Sequence, residues 1–141
     1  MNTLRLTLAA LVVAGAGAAL LVSTGQTGEK KVENRVFEMR IYYANPGKMD
    51  DLHARFKNHT NKLLEKHGMQ LIGFWTDEKE PQRKLYWIVA HKSKDAAKES
   101  WKSFQNDADW KAAKAKSEEK GALVERFESI YLNPTDYSPI K

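Results

Sequence analysis

The stretch FEMRIYYANPGK, residues 37–48, decides the fold. Phe37, Met39, Ile41 and Tyr43 alternate with Glu38, Arg40 and Tyr42, the period of two that marks a β-strand with two different faces. Asn45-Pro46-Gly47 ends it, because Pro cannot donate to a sheet ladder and Gly admits unusual backbone angles. A helix follows: Met49, Leu52, Phe56, Leu63 and His67 recur at helical steps, while Lys48, Asp50, Asp51, Arg55, Lys57 and Lys62 fill the other side. Gly68 supplies its stop, with Lys66 and His67 in the last turn, where the helix dipole favours positive charge.

The rest of the chain repeats this plan. MQLIGFWT, residues 69–76, reads as a second strand, and the loop DEKEPQRK leads into LYWIVAH, residues 85–91, apolar enough for a strand covered on both sides. Ser93 is placed to cap a helix whose buried stripe is Ala96, Ala97, Trp101 and Phe104. After a break at Asn106-Asp107, a shorter helix turns Trp110 and Ala113 inward and Lys111, Lys114 and Lys116 to water. Gly121 ends it, LVERFESIYL at 123–132 makes a fourth strand, and residues 133–141 form an irregular tail. The order predicts an α+β protein: a ferredoxin-like βαββαβ domain over residues 36–132 with an antiparallel four-stranded sheet.

Helices of this number shelter one face of such a sheet and leave the other bare. If Phe37, Met39 and Ile41 turn toward the helices, alternation puts Glu38, Arg40 and Tyr42 on the bare side. The central strand then adds either Leu85, Trp87, Val89 and His91 or Tyr86, Ile88 and Ala90, and both sets leave an apolar patch that a second copy of the sheet would cover. A homodimer closing a dimeric α/β barrel is the expected assembly. Glu38 and Arg40 would then be partly desolvated, with Arg126 and Glu128 of the fourth strand as the nearest partners for an ion network. The alternative is a ligand-binding pair in a cavity.

The blocks FEMRIYYANPGKMDDL, LLEKHGMQLIGFW, LYWIVAHKS and NDADWKA together resemble the NIPSNAP domain of the dimeric α/β barrel superfamily. Typical members read YELRxYxxxPGK, KHGMxxxGFW and DPEW; NDADW departs by lacking the Pro before the acid. The resemblance spans residues 36–132 and implies a ferredoxin-like protomer and a sheet-to-sheet dimer. It implies no particular chemistry, since the family has no generally established activity. Related barrel families include heme-binding and cofactor-free monooxygenases, so a small-molecule pocket is expected by analogy.

The N-terminus addresses compartment. MNTLR is a short positive start, LTLAALVVAGAGAALLV at 6–22 is unbroken apolar chain, and a polar stretch follows, the pattern of an export signal over residues 1–25 with a linker over 26–35. Secretion or a periplasmic location is expected, and contact with a membrane only if the segment is retained as an anchor; the mass of the mature chain distinguishes the two. The formal charge of +5 is spread along the chain without basic clusters, which argues against nucleic acid as a partner. The absence of Cys removes disulfides, thiolate nucleophiles and sulfur-ligated metals.

Chemistry-bearing residues are few. His59, seven after Leu52 and four before Leu63, is expected to point at the sheet, where it would be a satisfied core residue or an acid, base or axial ligand. His91 at a strand end could line a pocket mouth; Trp75 and Trp87 either fill core and interface or wall a flat cavity. No His pair has metal-ligand spacing and no GxGxxG occurs, so neither a metal nor a cofactor is expected. Two readings follow: a dimer binding a small apolar or aromatic molecule or a protein, and an enzyme of monooxygenase or isomerase type using His59, Arg40, Tyr42 and Trp87.

Overall fold

A computed structural model describes residues 35–141. The expected export segment, and the linker up to its last residue, lie outside the described residues. Strand β1 runs Val36–Ala44, followed by α1 at Met49–Arg55, a π-helical turn at Phe56–Thr60 and α2 at Asn61–Lys66. Then come β2 at Gln70–Thr76, β3 at Lys84–His91, α3 at Lys94–Asn106, α4 at Ala108–Ser117 and β4 at Val124–Leu132. The strands pair antiparallel in the order β2-β3-β1-β4, so the two strands richest in apolar residues occupy the centre. This is the ferredoxin-like βαββαβ plan.

Local chemistry sets the helix ends. The Ala96 amide donates to Ser93 Oγ at 3.0 Å, capping α3. At the end of α2, Gly68 takes φ 79°, the Met69 amide donates to the Leu64 carbonyl at 3.1 Å and the Gly68 amide to that of Glu65 at 2.9 Å, a Schellman closure. Met69 and Leu64, the apolar pair that accompanies it, are both buried. No helix among the described residues is long and apolar enough to cross a membrane.

The sheet is turned over relative to the sequence-based expectation. Glu38, Arg40, Tyr42 and Ala44 of β1 face the helices together with Leu85, Trp87, Val89 and His91 of β3. Their alternates, Phe37, Met39, Ile41, Tyr86 and Ile88, look away from the helices, and this face is not wholly bare as expected: Pro134, Ser138 and Ile140 of the tail line a hollow with Phe37, Ile72 and Ile88, and Phe37 is buried. Pattern alone assigned the more apolar set of β1 to the core. The reversal follows from what the helices present: Trp101 of α3 offers an indole N–H as well as a ring, so the polar face of β1 finds both hydrogen bonds and apolar cover there.

The π-helical turn corrects a second expectation. The Asn61 amide donates to the Phe56 carbonyl, five residues back, which inserts one residue into that turn. Thr60 and Leu64 therefore take the inward positions, and His59 is exposed rather than aimed at the sheet. Arg55, expected on the wet face, is instead buried, its Nη1 2.8 Å from Glu118 and its guanidinium over the Trp110 ring. Deleting the exposed Asn58 should convert the turn to plain α-helix with both flanks still facing the core, at a loss of roughly 1–2 kcal/mol by urea unfolding. Deleting Glu65 from the regular part should prevent folding; equal effects of the two deletions would contradict the account.

Candidate functional site

The innermost polar group of the domain is the Glu38 carboxylate, 1% exposed. Four donors converge on it. Arg40 Nε at 2.8 Å and Ser129 Oγ at 2.6 Å donate to Oε1, and Trp101 Nε1 at 2.6 Å and His91 Nε2 at 3.1 Å to Oε2. An ionised carboxylate only accepts, so His91 carries its proton on Nε2 and its buried Nδ1 has no partner among the described residues. Burial pushes the Glu38 carboxyl up, but the hydrogen bonds from His91 and Ser129 and the charge and hydrogen bond of Arg40 outweigh it and hold it near 2. The ion network is therefore made, though with other members than expected. Arg126 and Glu128 lie on the opposite face of the sheet, because Arg40 stands opposite Ser129 while Glu128 stands opposite Ile41. There Arg126 Nη1 meets Glu128 at 2.8 Å, and its guanidinium stacks on the Tyr43 ring at 3.3 Å.

Above this cluster opens a groove of about 510 Å³ between α3, α4 and the helix-side face of β4. Arg40 forms its floor, its guanidinium held between the Trp101 ring at 3.7 Å and the Phe127 ring at 5.0 Å. Tyr42 and Trp110 complete the aromatic walls, and Lys111 and Lys114 stand at the rim. Trp110 is positioned by α4, whose N-cap Asp107 accepts from its amide at 3.1 Å, and by Phe104, with ring centroids 4.5 Å apart.

Of the residues singled out from sequence, Arg40 and Tyr42 thus share one site. Trp87 lies beneath it, 1% exposed and edge-on to Tyr42, as core rather than cavity wall. His91 is likewise buried under Glu38. Trp75 is on the bare face, half exposed, its ring folded over Gly73 where a Cβ would come within 2.5 Å of it. His59 lines a separate surface hollow with Arg55 and Lys116. Trp101, Trp110, Phe127 and Ser129 were not singled out as site residues. Their helix and strand periodicity marks them only as inward or outward, and their meeting at Arg40 depends on the β1–β4 register.

A second constellation joins the KHGM and NDADW blocks. Ser103 Oγ lies 2.7 Å from His67 Nδ1, and His67 Nε2 lies 2.8 Å from Asp107 Oδ2. The order is that of a nucleophile, base and orienting acid. Asp107, however, also receives Lys66 Nζ at 2.8 Å and the amides of Asp109 and Trp110, and neither Ser103 nor His67 lines any hollow described above. It is a clamp between the end of α2 and the start of α4. Among the described residues no three His, Asp or Glu side chains converge as a metal site requires.

The fold defines the class: a ferredoxin-like α+β domain, an architecture shared at TM-score 0.51 and 16% identity with a protein of Chloroflexus aurantiacus described as a putative antibiotic biosynthesis monooxygenase, over 76% of this chain and 99% of that one. Several structures are more similar, two of which follow. A NIPSNAP family protein from Agrobacterium tumefaciens is 25% identical with TM-score 0.67, over 76% of this chain and 99% of its own. An uncharacterised NIPSNAP-like domain protein from Burkholderia xenovorans is 17% identical with TM-score 0.67, over 76% and 90%. The NIPSNAP family model matches residues 37–139, and the chain belongs to that family. No curated protein matches it in sequence.

Proposed function

We propose that this NIPSNAP protein is an exported homodimer that binds a small aromatic or apolar molecule in the groove over Arg40. The apolar run at 6–22 supports export, and the bare sheet face supports pairing with a second copy. The observation that carries the binding reading is the groove itself: aromatic on its walls, of ligand size, and floored by a side chain that its neighbours hold in place. An enzyme of monooxygenase or isomerase type has less support, because the imidazoles of His59 and His91 lie away from the groove.

Titration with 1-naphthol, read by quenching of tryptophan fluorescence, tests the pocket. Saturable binding is expected, and Trp110→Ala should weaken it about tenfold by removing one wall. Undiminished binding in that variant would place the ligand elsewhere, and absence of saturation would remove the reading.

A further inference from the structure

We propose that the groove is built for an aromatic carboxylate, its acid group held by Arg40 and its ring lying between Trp110 and Phe127. The inference rests on the pocket reading above and adds the charge of the ligand. A guanidinium carries five N–H groups in a fixed fork. Arg40 commits Nε to Glu38 and approaches Tyr42 Oη with Nη1 at 3.4 Å, while Nη2 hydrogen-bonds to none of the described residues and the side chain lines the groove floor. A donor edge in a largely desolvated site asks for an acceptor, and a planar carboxylate matches that edge with two parallel hydrogen bonds.

The charge around the groove points the same way. Glu38 balances Arg40, and Glu118 at the rim is engaged by Arg55 at 2.8 Å. Lys111 and Lys114 then remain, both on the groove-lining part of α4 and in no salt bridge among the described residues. The excess is positive, which attracts an anion and repels an amine. The walls favour a ligand with a ring over a merely ionic one: Trp110, Phe127 and Tyr42 offer ring faces and edges.

The test compares the full chain's binding of 1-naphthoate, 1-naphthamide and inorganic phosphate by calorimetry. Charge-assisted hydrogen bonds predict that naphthoate binds at least about tenfold more tightly than the amide, with phosphate alone failing to compete at about 1 mM. The Lys111→Ala/Lys114→Ala double variant, confined to the surface, should reduce the preference. Arg40→Lys, which retains a cation for Glu38, should abolish most of it while urea unfolding remains cooperative. Equal affinity for acid and amide overturns the carboxylate inference and leaves the pocket reading standing. Competition by phosphate as effective as naphthoate overturns the aromatic part, and failure of both naphthalene probes to bind overturns the two readings together.

Discussion

Glu38→Ala should lower the unfolding free energy by about 3–5 kcal/mol, the range for removing one partner of a buried pair. The substitution removes the shared acceptor of the Arg40 guanidinium, the Trp101 N–H, the Ser129 hydroxyl and the His91 N–H at once, and leaves the fully buried His91 N–H without a partner. Glu38→Gln keeps one carbonyl oxygen as acceptor and should cost less. Urea unfolding with an unchanged m-value is the measurement; a loss under about 1 kcal/mol for the Ala variant would mean that the carboxylate is not the organising group. The same group sets an acid limb. Its carboxyl is held near 2 in the folded protein against an ordinary 4.5, so the unfolded chain takes up the proton first as pH falls. The stabilisation is complete above about pH 5 and is lost as pH drops from 4.5 toward 2, and Glu38→Gln should flatten that limb.

Ile88→Asp should convert the proposed homodimer to single protomers. Ile88 sits on the face turned from the helices, on the central strand β3 opposite Met39 of β1, with Gly73 and its covering Trp75 on the other side and the tail at the edge of the same hollow. Ile130 and Leu132 of β4 carry the apolar surface toward the edge and are both exposed in the isolated protomer. Two sheets stacked about a two-fold axis would bring two introduced carboxylates close together in a dry interface. Like charges so placed weaken association roughly a thousandfold, equivalent to about 4 kcal/mol. Sedimentation at low micromolar concentration should give twice the chain mass for the native protein and the chain mass for the variant. A native protein that sediments as one protomer contradicts the assembly proposal without touching the groove on the other side of the sheet.

Order and type of element were legible because each carries its own local signal. The period of two in FEMRIYY, the Ser93 cap, the Gly68 stop and the Asn106-Asp107 break all act within a few residues. Which face of β1 turns inward was not legible, because hydrophobicity favours Phe37, Met39 and Ile41 and cannot register that Trp101, some sixty residues on, holds a donor for Glu38. His59 failed for a different reason: stepping by seven assumes unbroken α-helical rotation, and the turn at Phe56–Thr60 takes an extra residue. Glu38 and Arg40 pair with each other, and not with Arg126 and Glu128. Their partners were missed because these are fixed by the register that puts Ser129, not Glu128, opposite Arg40.

Strand β4 has a single neighbour in the sheet, and its residues from Glu125 to Leu132 are exposed on both sides. An outer strand so thinly covered would ordinarily peel away by itself, well below the temperature at which the centre melts. Ser129 alters that sequence of events, since its hydroxyl completes the coordination of the deepest carboxylate in the domain. Unzipping the margin takes one of four donors from a buried carboxylate at the centre, so periphery and interior are coupled.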